Sequence, residues 1–145
     1  MGFIRFVLAK RAMFLFLSGA LFIAGGTGIA PLRAMLHEAL RAGWTRIGVA
    51  YSVRSADEFA YLDELRTLER AGRIALTLTV TRDAAAPRWD GHTGRFTAAD
   101  LAPMLDRDGR TLCFVCGPQS LVKEMPARLV EQGVPRSLVR IEEWG

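Results

Sequence analysis

No acidic residue occurs before Glu38, and Arg5, Lys10 and Arg11 lie in that stretch. They account for most of the formal net charge of +4, because the other sixteen of nineteen basic residues face fifteen acidic ones. A protein that grips nucleic-acid phosphates needs a basic face in the body of its fold, so nucleic acid is set aside as a partner. Cysteine is scarce as well. Cys113 and Cys116 form one C-x-x-C with no second pair, and the two histidines, His37 and His92, stand far from it in sequence. The pair falls inside the apolar run Thr111 to Cys116, which reads as a buried strand, and residues three apart on a strand point to opposite faces. That parity opposes both a disulfide and a shared metal, so no metal site is assigned. Two free thiols fit a reducing compartment, here the cytoplasm. Met13 to Ala24 is almost wholly apolar but short for a membrane span. Residues 3–24 have the composition of a membrane-contacting or signal segment. The reading preferred is a remodelled start, because the run merges into a glycine turn with no cleavage spacer and its last part is needed as a strand.

What remains is one domain's worth of alternating elements. Residues 1–20 are an apolar segment of uncertain status, and residues 21–145 form the domain. Leu21-Phe22-Ile23-Ala24-Gly25-Gly26-Thr27-Gly28-Ile29-Ala30-Pro31 reads as strand, glycine turn and helix start. Small residues let a backbone approach a phosphate, and the first amides of the helix aim partial positive charge at it. Pro31 suits the first helical position. The stretch departs from G-x-G-x-x-G, since Pro31 stands where the last glycine would be. Leu32, Met35, Leu36, Ala39 and Leu40 then recur on one helical face, which Gly43 closes, and His37 falls off that face toward solvent. A strand over Arg46 to Val53 follows. Ser55 and Glu58 have the spacing of a capping box, opening a helix to about Arg70 with Phe59, Leu62, Leu65 and Leu68 inward. Ile74 to Val80 alternates as a strand, and Ala84 to Gly94 has loop composition. Thr97 and Asp100 start a short helix to about Leu105. The cysteine strand, a turn at Cys116-Gly117-Pro118, a helix through about Gln132 with Pro126 inside it, and a strand near Leu138 to Glu142 complete the chain. The order predicts an α/β domain with a doubly wound, five-stranded parallel sheet and helices on both faces.

Three stretches, in this order, carry a resemblance to a known family. They are Gly25-Gly26-Thr27-Gly28-Ile29-Ala30-Pro31 after the first strand, Tyr51-Ser52-Val53-Arg54 with Tyr61-Leu62-Asp63-Glu64-Leu65 after the second, and Cys116-Gly117-Pro118-Gln119 after the fourth. Over about Leu21 to Trp144 the chain resembles the NAD(P)-binding half of the ferredoxin–NADP reductase superfamily, in which Pro31 is expected. The resemblance implies a domain that holds NAD(P)H so that its nicotinamide passes a hydride to a flavin, with electrons going on to an acceptor protein. Gly25, Gly26, Thr27 and Gly28 would lie against the dinucleotide, with Pro31 and Tyr51 part of the same site. Cys116 would sit beside the reacting nicotinamide carbon as the catalytic residue, Gly117 and Pro118 would shape the adjoining turn, and Trp144 could cover the flavin. The family's flavin-binding barrel and its Arg-x-Tyr-Ser/Thr motif are not seen here, so FAD would come only through a partner domain or subunit. A nucleotide-binding fragment or regulatory module without chemistry stays open as the alternative. An NADP site has arginine after the second strand where an NAD site has an acid. Arg54 occupies that place, with Arg82 and Arg95 near the next strand ends, so NADP(H) is favoured over NAD(H).

Overall fold

The computed structural model describes residues 17–82, 89 and 91–143. Its strands are β1 (Gly19–Gly25), β2 (Ile47–Val53), β3 (Ala75–Val80), β4 (His92–Thr93), β5 (Thr111–Gly117) and β6 (Val139–Glu143). Its α-helices are α1 (Ile29–Arg41), α2 (Leu62–Arg70), α3 (Ala98–Leu101) and α4 (Gln119–Glu131). The strands form one sheet in the order β4-β3-β2-β1-β5-β6, parallel throughout. The chain adds strands one way from β1 through β2 and β3 to β4, then returns to the other side of β1 and continues outward through β5 to β6. The sheet therefore reverses its winding between β1 and β5, and at such a point the loops leaving the two strands diverge and open a crevice.

The central strands are apolar along their length because both faces are covered. Ala20, Phe22 and Ala24 of β1 face one cluster with Val49 and Tyr51 of β2, Phe114 and Cys116 of β5, and the inner faces of α1 and α2. Leu21, Ile23, Ala50, Cys113 and Val115 face the other, with Phe96, Leu101, Val122, Met125 and Leu129 from α3, α4 and the segment before α3. Phe22 and Phe114 stand opposite one another in the β1–β5 register and stack at 5.3 Å. Cys113 and Cys116 lie in opposite clusters, as their spacing predicts, and both are free thiols. Among the described residues, no helix is long and apolar enough to cross a membrane.

The sheet has six strands, one more than expected. β4 is two residues long, too short for any periodic signal, and side-chain chemistry fastens it. Thr79 Oγ1, fully buried, donates to the carbonyl oxygens of Gly94 at 2.5 Å and His92 at 3.3 Å. The expected helix from Ser55 to Arg70 is also different. Ala56–Glu58 is a single 3-10 turn, Ser55 makes no capping bond, and the chain is extended at Phe59 before α2 begins at Leu62. Packing overrides the capping signal here. The Phe59 ring meets Tyr51 edge-on at 5.1 Å and Trp89 at 5.3 Å, and the Ala60 N–H donates to the Tyr51 hydroxyl at 3.0 Å. The short helix expected from Thr97 does start there, closed by a capping box in which Thr97 N–H donates to Asp100 Oδ2 and Asp100 N–H donates to Thr97 Oγ1. Pro31 is the third residue of α1, behind a 3-10 turn at Gly26–Gly28, and is tolerated because that N–H also lacks an intrahelical partner.

His37 is not free in solvent: its Nε2 lies 3.4 Å from Glu64 Oε1 on α2. Glu64 also takes two bonds from Arg33, at 2.6 and 2.7 Å, and the Arg33 guanidinium covers the Tyr61 ring at 4.6 Å. The Arg33 hydrogen bonds hold the Glu64 carboxyl below the usual carboxylate range. A depressed folded-state value contributes stability above the unfolded value and loses it as pH falls through the folded one. Glu64→Gln should therefore flatten the decline of melting temperature between about pH 5 and 3. Thermal melts across that range check it, and an unchanged slope would mean that the α1–α2 pair contributes nothing.

Candidate functional site

A cleft of about 550 Å³ opens at the carboxyl edge of the sheet, over the point where its winding reverses. That volume suits a small organic ligand. Gly25, Gly26 and Thr27 line it from the end of β1, Arg54 from the end of β2, Arg82 from the end of β3 and Arg95 from beyond β4. Pro118 and Leu121 line it from the start of α4. A smaller hollow of about 280 Å³, with Arg46 and Arg73 on its wall, lies at the opposite edge, away from the loops that follow the strands.

The glycines have separate causes. Gly26 takes φ +53° with open space where a Cβ would stand, so the turn is left-handed and its backbone is bare toward the cleft. Gly28 is buried beneath it. A Cβ there would lie 2.1 Å from the Cys116 carbonyl oxygen and 2.9 Å from Gly117 Cα, so the entry to α1 rests directly on the end of β5. Gly25 and Gly117 are neighbours at the ends of β1 and β5, and Leu121 Cδ2 is 2.8 Å from the Cβ position of each.

Two helices begin at this cleft, and neither is closed by its own side chains. The Gly26–Gly28 turn and α1 have no capping side chain and no acid in the first turn. The same is true of α4, whose N-cap is Pro118. The α3 start, by contrast, is capped on both sides by Thr97 and Asp100. Backbone N–H groups at uncapped helix starts are acceptor-poor and favour an anion.

The structure brings Arg54 and Arg82 together, since the Arg82 N–H donates to the Arg54 carbonyl at 2.9 Å. Both side chains are exposed, and among the described residues neither has a carboxylate partner. Arg95 reaches the same cleft but is paired to Glu124 at 2.5 Å. Tyr51 does not line the cleft: it is buried, and its hydroxyl serves Ala60. Cys116 and Gly117 lie at the end of β5 with their faces buried, next to the cleft and not on its wall. Burial, and then the nearby Glu142 that stands opposite it in register, push the Cys116 thiol up to about 12. It is a neutral, protonated group at physiological pH. Burial raises Cys113 to about 12 as well. Trp144 lies outside the described residues. Glu58, Glu124 and Leu121 also line the cleft and are not among the expected site residues. Leu121 had a usable signal in its place three residues after Pro118. Glu124 had none, because its spacing to Arg128 is that of an ordinary surface pair on a helix.

A parallel doubly wound sheet with a bare glycine turn at its reversal point and arginines on the next strand ends defines a domain of the dinucleotide-binding α/β class. Residues 22–126 match the family model of the oxidoreductase NAD-binding domain, and the chain belongs to that family, within the ferredoxin–NADP reductase superfamily. It is 36% identical over 137 residues to ferredoxin–NADP reductase B of Sorangium cellulosum, an alignment covering 86% of this chain and 54% of the relative. It is 32% identical over 104 residues to NADH-cytochrome b5 reductase 2 of Scheffersomyces stipitis, covering 70% and 35%. Its fold is like that of the flavohaem-like FAD/NAD-binding domain of nitric oxide dioxygenase from Vibrio cholerae, with TM-score 0.74, 21% identity and coverage of 87% and 51%. The cytochrome b5 reductase domain of Ulva prolifera nitrate reductase gives TM-score 0.75 at 24% identity, covering 87% and 50%. The chain spans about half the length, or less, of each of these two relatives and two structures.

Proposed function

We propose that this domain holds NADPH in the cleft and presents its nicotinamide to a flavin carried by a separate domain or subunit, for onward transfer to an acceptor protein. The observation that carries the reading is the meeting of two uncapped helix starts and the Arg54–Arg82 pair on one cleft. In this reading the Gly26–Gly28 backbone and Thr27 take the pyrophosphate, and Gly25, Gly117 and Pro118 keep the floor low enough for it. Gly28 and Pro31 act from below, by setting the helix against β5. Tyr51 acts one step further away, by fixing the Phe59–Ala60 segment behind Arg54. Arg54 and Arg82, whose backbones are joined and which both line the cleft, carry guanidinium groups that suit a phosphate dianion, which each can hold through two N–H groups. This supports NADP(H) over NAD(H).

The reduced nicotinamide, when bound, supplies the hydride. In this reading Cys116 contributes shape and polarizability from behind the cleft wall, since it is buried and a thiol held near 12 offers no thiolate to react or to compete. Trp144 is proposed to lie toward the flavin. Two free thiols support a reducing compartment such as the cytoplasm. The test is reconstitution. The full chain, mixed with the flavin-loaded barrel domain of a related reductase, should give NADPH-dependent reduction of ferricyanide above the rate of either part alone. No rate above background would remove the catalytic reading in favour of a nucleotide-binding module without chemistry.

A further inference from the structure

The cleft holds carboxylates as well as arginines, and one of them is placed to compete with a phosphate. Glu124 lies on the second turn of α4, where its Oε1 accepts from Arg95 Nη1 at 2.5 Å and its Oε2 lies 3.9 Å from Arg128 Nη2. Glu58 lines the same cleft without an arginine partner among the described residues. Of the three arginines that line the cleft, only Arg95 has a carboxylate partner among the described residues.

The backbone that carries Arg95 is held independently of this pair. Phe96 is 1% exposed in the core beneath α4, and its carbonyl accepts from Arg128 Nη1 at 3.3 Å. On the other side, the Gly94 N–H donates to the Val80 carbonyl at 2.9 Å. The Arg95 guanidinium can therefore change partner by side-chain rotation alone. An exposed ion pair holds weakly, and a dianion that accepts two N–H bonds competes well with one carboxylate. We propose that Glu124 is a specificity-determining residue of this site: it occupies Arg95 in the free protein, so a ligand's phosphate gains that arginine only by displacing the carboxylate. The inference rests on the reading of the cleft as the site of the nucleotide's 2′-phosphate.

Calorimetric titration of the full chain with 2′,5′-ADP and with 5′-ADP tests it. Glu124→Gln should tighten 2′,5′-ADP about five-fold while changing 5′-ADP by less than about two-fold. The gain should vanish when Glu124→Gln is combined with Arg95→Ala. Equal gains for both probes, or a gain that survives the loss of Arg95, would overturn the proposal. Arg54→Ala separates the role of Glu124 from the identity of the cleft. A wild-type preference for 2′,5′-ADP that Arg54→Ala reduces, together with a silent Glu124→Gln, discards the role of Glu124 alone, whereas no preference in the wild type removes both.

Discussion

Replacing Gly28 by alanine should lower the urea midpoint by more than any other single methyl addition in the glycine turn. The added carbon would stand 2.1 Å from the Cys116 oxygen, 2.5 Å from the Cys116 carbonyl carbon and 2.9 Å from Gly117 Cα. All three are backbone atoms of the end of β5, so no side chain can rotate away to make room. Relief requires α1 to lift off the strand, or β5 to separate from β1 where they pair in register through Cys116. Overpacking of a tight interior costs about 1–3 kcal/mol, occasionally more, and a clash with backbone belongs at the upper end. Gly26→Ala is the control. No atom lies within 4 Å of its Cβ position, and its penalty is that of φ +53°, about 1–2 kcal/mol. Equal midpoints for Gly28→Ala and wild type would mean that the helix does not rest on β5 as described.

Arg54→Ala should weaken 2′,5′-ADP about ten-fold or more while leaving 5′-ADP within about two-fold, because a hydrogen bond to a charged group contributes about 1.5–3 kcal/mol. Arg82→Ala should act in the same direction, since the two residues share a backbone hydrogen bond and reach the cleft from adjacent strand ends. Their effects should not simply add, because two groups on one ligand phosphate couple. If Arg54→Ala leaves the ratio of the two affinities unchanged, the assignment of NADP(H) is wrong.

The elements that carry a pattern of their own were legible in the residues. The apolar runs of β1, β2 and β5, the stripe on α1 and the Thr97–Asp100 capping box all describe interactions within a few residues, and all form. Ser55 and Glu58 carry the same local signal as Thr97 and Asp100 and fail, because Phe59 is drawn out of helix by Tyr51 and Trp89. Only the fold decides between the two. β4 escaped notice because its two residues depend on Thr79, thirteen positions away, for their attachment.

The site divides in the same manner. Strand order and a right-handed winding are enough to place Gly26, Thr27, Arg54, Arg82 and Pro118 on one edge, and they do line one cleft. Side-chain direction is what the residues alone do not give. Tyr51 points into the core, Arg95 is occupied by Glu124, and Gly28 serves packing against Cys116. Each of these depends on a neighbour distant in sequence.

The most direct measurement is an amide-resolved NMR titration of the full chain with NADP+. The largest shifts should fall on Gly26, Thr27 and Gly28, on Arg54 and Arg82, and on Gln119 and Ser120 at the start of α4. Shifts centred instead on Arg46, Arg73 and the other residues of the opposite edge, or no shifts at millimolar ligand, would contradict a dinucleotide site at the reversal point of the sheet.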